Sequence, residues 1–460
     1  MSGIVIAGSM LLTNISSEHL IGMNGNSYVN GFIVIAWEVT SSLALAIAAL
    51  FFIPKYLKMG LTTIPQFLEK RFDGVLRTFV AIVLITSFII TLLPIVLYSG
   101  ALGIESLFGV SEVLGVEKSQ GLWITILFIG ILGSIYAVFG GLKAVAYSDT
   151  INGIGLLLGG LLIPVLALYA IGDSNILDGL TKVYEYAPEK FNVIGASDSV
   201  LPFEVLFTGL IINQLYFWGM NQTIIQRALG AKNLKEAQKG LLITGLFKIL
   251  IPLVIVLPGV ICYYYFSDTF YDQQDSVYPE LVKKVLPVWL IGFFAAVIMG
   301  AVLSTFNSVL NSAATLFSVD VYKKHIEKNV SDKKLVSIGK LTSAILAAFA
   351  ILAAPLMANT PDGLYQLLQE LNGVFFIPIA SVLLAGFFMK KISAIAAKTA
   401  LIFGLSFYIF LTWGYTSHGI HFVHLWGIEF VLNVGIMYLV SYFYPRKNLY
   451  EISDVGAVDL

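Results

Sequence analysis

The sequence predicts an all-α polytopic membrane protein that crosses the bilayer about twelve times. Of its 460 residues, 58% are hydrophobic and only 12% are charged, whereas soluble proteins average about 25% charged residues. Twelve apolar runs are long enough to cross the hydrocarbon core, which takes about 20 helical residues. In chain order, spans 1 to 12 cover roughly residues 3–23, 29–53, 75–103, 121–139, 144–172, 200–219, 238–266, 286–318, 335–358, 365–389, 393–414 and 423–444.

The distribution of basic residues predicts the orientation of these spans. Most of the 27 Lys and Arg residues fall in every second connection, and the positive-inside rule places that side in the cytoplasm. Both termini of the chain are then cytoplasmic, and the protein is integral to the cytoplasmic membrane. The loops on the opposite side, about 173–199 and 267–285, are too short for a separate fold, so residues 1–460 are predicted to form a single membrane domain.

The composition also excludes several classes of function. A single cysteine, Cys262, rules out an internal disulfide framework and a cysteine-based metal cluster. No basic run indicates nucleic-acid binding, and the net charge is only −1. The Glu18–His19 pair lacks the second histidine of a zinc motif, and no Ser/His pairing with useful spacing is present. We therefore expect a protein that is not an enzyme and needs no organic cofactor.

Ionisable residues inside the spans are expected to be functional, because their insertion into a bilayer is costly. Those singled out are Glu18 and His19 in span 1, Glu38 in span 2, Asp149 in span 5, Lys248 in span 7 and Glu370 in span 10. Neutral polar residues accompany them in spans 1, 2, 6, 8 and 10. For Asn221, Ser308 and Asn311, a purely structural hydrogen bond is the preferred interpretation.

Spans 1 and 6 are both interrupted midway by polar residues. The interruptions read "TNISSEH" at 13–19 and "NQLYFWGMNQ" at 213–222, and each opens one half of a possible five-plus-five arrangement of helices. Interrupted segments at corresponding positions of two halves indicate a central transport site, where unwound backbone exposes carbonyl groups to a cation. Span 8 adds Ala301, Ser304 and Thr305 at i, i+3 and i+4, which places one carbonyl and two hydroxyl groups on one helix face. Oxygen ligands without compensating carboxylates suit a weakly bound monovalent ion better than Mg²⁺ or Ca²⁺.

Several strings, taken in order, identify a family resemblance that covers about residues 3–391. They are "NISSEHLIGMNGNSY", "TIPQFLEKRF", "VFGGLKAVAYSD", "YFWGMNQTIIQRALGAKNLKEAQKG" and "LNSAATLFSVDVY", and they resemble the solute:sodium symporter family. The resemblance implies the inverted five-helix repeat of leucine-transporter type, with a first repeat at 3–172, a second at 200–389 and two additional helices at 393–444. Family members carry one more helix before span 1, and we expect that helix to be absent from this chain.

The resemblance implies a sodium site between spans 1 and 8. Its ligands are the backbone carbonyls of Leu12, Ile15 and Ala301 and the hydroxyls of Ser304 and Thr305. It also implies a sugar site that comprises Asn14, His19, Glu38, Ser41, Gln214, Phe217, Lys248 and Gln369. Three of these positions depart from the family pattern: His19 replaces Gln, Gln214 replaces Asn, and Phe217 replaces the Tyr that stacks on the sugar ring.

Five further residues match positions of the family pattern. Met23, Phe88 and Tyr365 correspond to the outer hydrophobic gate, although ordinary packing would also account for them. Asp149 corresponds to a carboxylate on the route by which sodium leaves. Glu18 also matches the family motif, and supporting the helix break suits it better than contacting sugar.

The function predicted is sodium-coupled secondary active symport of a galactose- or glucose-like hexose by alternating access, with Na⁺ as the co-transported ion. One alternative keeps sodium coupling but changes the solute to a polyol, sialic acid, a monocarboxylate or an amino acid. A membrane solute sensor is a less favoured alternative, and a passive sugar channel would need no sodium site. The sequence leaves the exact sugar, the sodium stoichiometry and the oligomeric state open.

Overall fold

The computed structural model of the chain describes residues 1–358, 360 and 362–446, and it describes the side chains of these residues except those of 139–146 and 148. Within the described residues every regular element is a helix, which confirms the predicted all-α class. The tail after residue 446 lies outside the described residues, as does the side chain of Lys143 between spans 4 and 5.

Nine helices in the described residues are long and apolar enough to cross a membrane, or ten if one bent pair is a single span. The nine are Glu18–Lys58, Gly74–Phe108, Lys118–Val138, Asp149–Ile171, Val288–Ile326, Asp332–Ala358, Leu364–Phe388, Ala394–Gly414 and Phe422–Phe443. The bent pair is Leu234–Leu250 and Pro252–Phe266, which meet at 45° in predicted span 7. Spans 1 and 6 are divided into shorter helices, and the total of twelve spans stays a prediction.

Both predicted interruptions are present in the structure. In span 1, helix Gly3–Asn14 ends at Ile15, which has an extended backbone (φ −91°, ψ 108°), and a π-helical segment begins at Glu18. In span 6, helix Gly209–Gly219 ends at Met220, and helix Gln222–Leu229 begins after Asn221, whose side-chain oxygen accepts from the Thr223 backbone N–H. Asn221 thus acts as a helix N-cap, consistent with the structural role preferred for it.

The connection between spans 4 and 5 differs from the prediction. A loop was expected near 140–143, where glycines and a lysine interrupt the apolar pattern, but the backbone is helical from Lys118 through Ile171. No proline falls between residues 139 and 148, and glycine weakens a helix by only about 1 kcal/mol. The local sequence therefore permits helical backbone where the hydrophobicity pattern alone indicates a loop.

Small residues bring span 1 close to its neighbours. Helix Gly3–Asn14 packs against Leu234–Leu250 and Lys118–Ile171, and each contact uses a glycine. A Cβ on Gly240 would lie 2.6 Å from Ile6 Cγ2, and a Cβ on Gly153 would lie 2.8 Å from Leu12 Cδ2. Helices in a bilayer gain stability from such close packing, because lipid provides little hydrophobic drive for association.

A buried arginine closes the end of span 10. Arg71 is fully buried and donates to the carbonyl oxygens of Gly386, Met389 and Ile392 at 3.0, 2.7 and 3.3 Å. These carbonyls lie at and just beyond the C-terminus of helix Leu364–Phe388, where no helical N–H groups remain to bond them. The guanidinium group therefore replaces the missing donors and also favours the negative end of the helix dipole.

Replacing Arg71 is expected to destabilise the whole bundle. Arg71→Met leaves three carbonyl groups without this donor, which costs about 3 kcal/mol or more at 1–3 kcal/mol per buried group. Arg71→Lys keeps the charge but loses the branched geometry, so its loss should be intermediate. Thermal unfolding of the purified protein in detergent measures the order, and Lys391→Met, at an exposed position nearby, is the control. Equal melting temperatures for Arg71→Met and the wild type would contradict this role.

A half-buried aspartate caps the opposite end of the same helix. Asp275, in segment Tyr271–Ser276 of a predicted outer loop, accepts from the Leu364 backbone N–H at 2.9 Å through Oδ2. Its Oδ1 atom is buried without a hydrogen-bond partner. Burial raises the pKa of Asp275 to about 6 from 3.8, against the opposing effect of the Leu364 hydrogen bond.

This raised pKa predicts a pH dependence of stability. Folded Asp275 keeps its proton to higher pH than the unfolded chain does, so its contribution to stability falls as the pH rises from about 4 to about 6. Asp275→Asn keeps an oxygen for the Leu364 N–H but cannot ionise. The variant should therefore lose less stability than the wild type between pH 4 and pH 6, measured as melting temperature. An identical slope for both proteins would contradict the assignment.

Candidate transport site

A cavity lies at the two helix interruptions, with an empty volume of about 680 Å³ that includes its open mouth. Spans 1, 2, 3, 6 and 10 contribute the lining. Seven of the eight predicted sugar-site residues line it: Asn14, His19, Glu38, Ser41, Gln214, Phe217 and Gln369.

The eighth predicted residue, Lys248, lies directly behind this lining. Its side chain is fully buried, and its Nζ atom donates to Asn14 Oδ1 at 2.6 Å and forms an ion pair with Glu38. The ammonium group also lies 5.3 Å from the ring centre of Trp218, within cation–π range. Glu38 thus balances the positive charge of Lys248. Asn14 and Glu38 both contact Lys248, and they line the cavity in front of it.

His19 connects two glutamates at the cavity wall. Its Nδ1 atom lies 3.3 Å from Glu18 Oε1, and its Nε2 atom lies 3.7 Å from Glu38 Oε1. The imidazole also makes an edge contact with Tyr365, with ring centres 5.4 Å apart. Glu18 Oε2 is buried without a hydrogen-bond partner, so Glu18 both orients His19 and keeps one free acceptor at the break.

The polar lining continues into span 6 through Gln214. Its Nε2 atom donates to the Trp37 carbonyl at 2.7 Å, and its Oε1 atom accepts from Ser41 at 3.1 Å. Phe217 is on the same wall, and its ring centre lies 6.4 Å from that of Phe376. Amide and hydroxyl groups therefore alternate with aromatic faces, a combination suited to the polar and C–H surfaces of a sugar.

The predicted sodium ligands of spans 1 and 8 converge beside this cavity. Ser304 Oγ and Thr305 Oγ1 lie 3.3 and 3.0 Å from the Leu12 carbonyl oxygen, and Thr305 Oγ1 lies 3.3 Å from the Thr13 carbonyl. The Ala301 carbonyl accepts from Ser16 Oγ at 3.1 Å, and Ile15 is fully buried at the break. Hard oxygen donors from both sides of the interruption thus face one another, which fits a small monovalent cation.

Two serines at the break fasten it to the surrounding helices. Ser16 reaches span 8 through Ala301, and Ser17 Oγ donates to the Val96 carbonyl at 2.9 Å and lies 2.7 Å from Ser99 Oγ. Each hydroxyl meets a polar group that hydrocarbon could not supply. The polar run "NISSEH" therefore places three side chains, Asn14, Glu18 and His19, in the cavity wall, while two serines hold the break in place.

Asp149 lies immediately next to the predicted sodium ligands, and its surroundings contain a residue that the sequence analysis missed. Asp149 accepts from Ser304 Oγ at 2.5 Å and from Ser9 Oγ at 2.8 Å. Arg227 falls between predicted spans 6 and 7, in a connection predicted to be cytoplasmic, but it is fully buried, donates to Ser9 Oγ at 2.8 Å and lies 3.8 Å from Asp149. The sequence did not reveal this role because Arg227 lies close to a predicted span end. In the structure, helix Gln222–Leu229 follows the break and is packed inside the protein, so Arg227 is buried.

The three predicted gate residues are placed differently. Phe88 and Tyr365 line the cavity, and the Tyr365 ring lies 6.2 Å from Trp37, centre to centre. Met23 is fully buried but does not belong to the lining. Of the three predicted gate residues, Phe88 and Tyr365 therefore contact the cavity, and their gating role stays a prediction.

The all-helical membrane architecture, the paired breaks and the polar cavity beside them define a secondary transporter of leucine-transporter type. The family model described as "Sodium:solute symporter family" matches residues 1–404 of this sequence, and the chain belongs to that family.

Curated relatives agree with this assignment. The chain is 42% identical over 456 residues to the uncharacterised symporter YidK of Escherichia coli K12, covering 99% of this chain and 79% of the relative. It is 34% identical to the sodium/glucose cotransporter of Vibrio parahaemolyticus, covering 88% of this chain and 76% of the relative. Identity to the sodium/myo-inositol cotransporter of Bos taurus is 31%, over 85% of this chain and 58% of that longer protein.

Solved structures support the same fold. A sodium-coupled sialic acid symporter in a substrate-bound, outward-open state superimposes with a TM-score of 0.80 at 20% identity, over 96% of this chain and 90% of the other. Mhp1, a nucleobase-cation-symport-1 family transporter, superimposes with a TM-score of 0.60 at 12% identity, over 96% and 93%. At these identities the likeness concerns the fold alone.

The Glu38–Lys248 pair predicts a strong coupling in a double-mutant cycle. Either Glu38→Gln or Lys248→Met leaves one buried charge without its partner, which costs about 3–5 kcal/mol. The double variant removes both charges and should lose less stability than the sum of the two single losses. Unfolding in mixed micelles measures the cycle, and Lys182→Met, which breaks the exposed pair with Asp173, serves as the control and should change little. Strictly additive losses would contradict a direct charge pair.

Proposed function

We propose that this symporter couples the entry of Na⁺ to the uptake of a neutral, hexose-like sugar. The observation that carries the proposal is the balance of charge at the cavity. Lys248, the ammonium group nearest to the lining, is neutralised by Glu38 and hydrogen-bonded to Asn14. A carboxylate solute requires a free cationic group, but the cavity presents the carboxylates Glu18 and Glu38, which would repel it. Sugar hydroxyls, in contrast, can donate to carboxylates and accept from amides.

The resemblance to sugar and inositol cotransporters points to the same class of solute. Two relatives carry the names sodium/glucose and sodium/myo-inositol cotransporter, and both names describe uncharged, ring-shaped polyhydroxy compounds. In this chain Phe217 and Phe376 offer aromatic surface without a hydroxyl. Ring stacking is thus available, while the hydrogen bonds that select the sugar come from Asn14, Gln214 and Gln369.

The broken helix accounts for coupling between ion and sugar. Leu12 and Thr13 present their carbonyls to Ser304 and Thr305, and the next residue, Asn14, lines the sugar cavity. Sodium held between spans 1 and 8 fixes the backbone on which Asn14 is mounted, so sugar binds to a preorganised wall. The membrane potential adds about 2.3 kcal/mol per charge per 100 mV, which allows one sodium ion to drive accumulation of a neutral solute.

Uptake of radiolabelled galactose into proteoliposomes tests the proposal. An inward sodium gradient should drive accumulation beyond equilibrium, and unlabelled glucose should compete whereas sialic acid should not. Competition by myo-inositol but not glucose would move the substrate to cyclic polyols within the same neutral class. Sodium-driven transport that sialic acid inhibits, with no effect of glucose or myo-inositol, would overturn the neutral-solute proposal.

The hydroxyl of Thr305 should determine the sodium requirement. Thr305→Ala removes an oxygen that faces the Leu12 carbonyl, so the sodium concentration for half-maximal uptake should rise about tenfold or more, corresponding to about 1.4 kcal/mol. Thr305→Ser retains the oxygen and should behave like the wild type, whereas Thr305→Val, which retains the shape, should behave like Ala. A normal sodium requirement in Thr305→Val would show that this hydroxyl is not a ligand.

A further inference from the structure

Span 12 contains a glutamate that the sequence analysis did not single out. Glu429 lies midway along helix Phe422–Phe443 and is fully buried, and neither of its carboxylate oxygens has a hydrogen-bond partner. In the part of the chain that the structure describes, no Lys, Arg or His forms an ion pair with Glu429. The group lies apart from the transport cavity, whose lining does not include it.

The immediate neighbours of Glu429 come from three helices. Asn433 is one turn further along the same helix and is also fully buried, with its Oδ1 atom unpartnered. Its Nδ2 atom lies 3.4 Å from Ser381 Oγ of span 10, so the amide donates in that direction. Gly404 of span 11 completes the cluster, because a Cβ there would lie 2.8 Å from Glu429 Oε1 and 2.6 Å from Asn433 Nδ2.

The atoms of Glu429 and Asn433 that lack partners are acceptors. They are Glu429 Oε1 and Oε2 and Asn433 Oδ1, and the Ser381 hydroxyl already donates to the Ile377 carbonyl at 2.8 Å. An unpaired carboxylate in a dry interior is strongly unfavourable, and such a group normally becomes neutral instead. A single proton on Glu429 would remove the charge and supply the missing donor to Asn433.

We propose that Glu429 holds a proton at neutral pH and donates it in a hydrogen bond to Asn433 Oδ1, forming a buried proton-binding site at the contact of spans 10, 11 and 12. A proton requires no coordination shell. A metal ion would need more oxygen ligands than the three free atoms of this cluster, and these atoms already pack against the backbone of Gly404.

The titratable groups on the surrounding helices leave this assignment intact. Span 12 packs against spans 6, 10 and 11. On span 10, Glu370 is hydrogen-bonded to Gln366 at 3.0 Å, and on span 11, Lys398 is paired with Asp73 at 2.7 Å. Tyr408 of span 11 lies one turn from Gly404 with its hydroxyl unpartnered. On span 12 itself, His424 Nδ1 lies 3.0 Å from Thr208 Oγ1, and Glu204 at the start of span 6 is exposed. The other titratable side chains on these segments, Tyr216, Tyr365, Tyr438 and Tyr442, are neutral phenols at pH 7.

The site joins the helix of the transport cavity to the two additional helices. Span 10 carries Tyr365 and Gln369 on the cavity wall and Ser381 at the proton site. The proposed hydrogen bond therefore fixes the packing of spans 11 and 12 against a helix that contacts the solute. Loss of the proton would place an unpaired charge at that contact.

Infrared difference spectroscopy of the reconstituted protein tests the proposal, because a protonated carboxyl has a C=O stretching band well separated from that of a carboxylate. The wild type at pH 7 should show such a band, and Glu429→Gln should lack it while keeping the wild-type melting temperature. Glu105→Gln is the matched control, because Glu105 is also buried but accepts from the Ser111 backbone N–H at 3.1 and 3.2 Å, and it should leave the band unchanged.

Three outcomes decide the proposal. Loss of the band in Glu429→Gln alone supports it, and its absence from the wild type overturns it. Disappearance of the wild-type band on addition of NaCl would also overturn it, because sodium would then occupy the cluster. Should Glu429→Gln fail to fold, Asn433→Leu provides a second test: the band should persist but shift to higher frequency, and an unshifted band would refute the hydrogen bond to Asn433.

Discussion

The interruption of span 1 is the constraint on which the site depends. A helix that stops in the middle of a membrane leaves backbone carbonyls and N–H groups that hydrocarbon cannot satisfy. Here the Leu12 and Thr13 carbonyls meet the hydroxyls of span 8, and Ser16 and Ser17 reach spans 8 and 3. The groups that compensate the break are also the proposed ligands of the sodium ion. On this proposal, stability of the fold and affinity for the ion come from the same oxygens.

The charged side chains around the cavity are likewise compensated by their neighbours. Glu38 and Lys248 neutralise each other and remain within reach of Asn14, while Asp149 is balanced by Arg227 and by two serines. Each ion pair is hydrogen-bonded to a residue of a predicted binding site: Lys248 to Asn14, and Asp149 to Ser304. The cavity wall therefore presents dipoles and neutralised charges, and such interactions are stronger in a protein interior than in water.

Much of this arrangement could be predicted from the chain alone. Apolar runs, the two polar interruptions and the spacing of Ala301, Ser304 and Thr305 are local features, and the structure contains both breaks and brings these residues together. Contacts between segments that are distant in the sequence were harder to predict from it. Arg227 follows the span 6 break and reads as a loop residue until the backbone turns inward, and helical backbone at 140–143 contradicts a loop inferred from hydrophobicity. The role of Glu429 could not be predicted from the sequence, because it depends on the absence of hydrogen-bond partners for its carboxylate among the described residues.

Coupling of sodium and sugar through span 1 is the central claim, and reciprocal binding measures it most directly. Tryptophans 37 and 218 line the cavity, so their fluorescence can report binding to the purified protein, with choline replacing sodium as the control. Sodium should tighten galactose binding, and galactose should tighten sodium binding by the same factor, as linkage requires. Galactose affinity that is equal in sodium and in choline would contradict the claim.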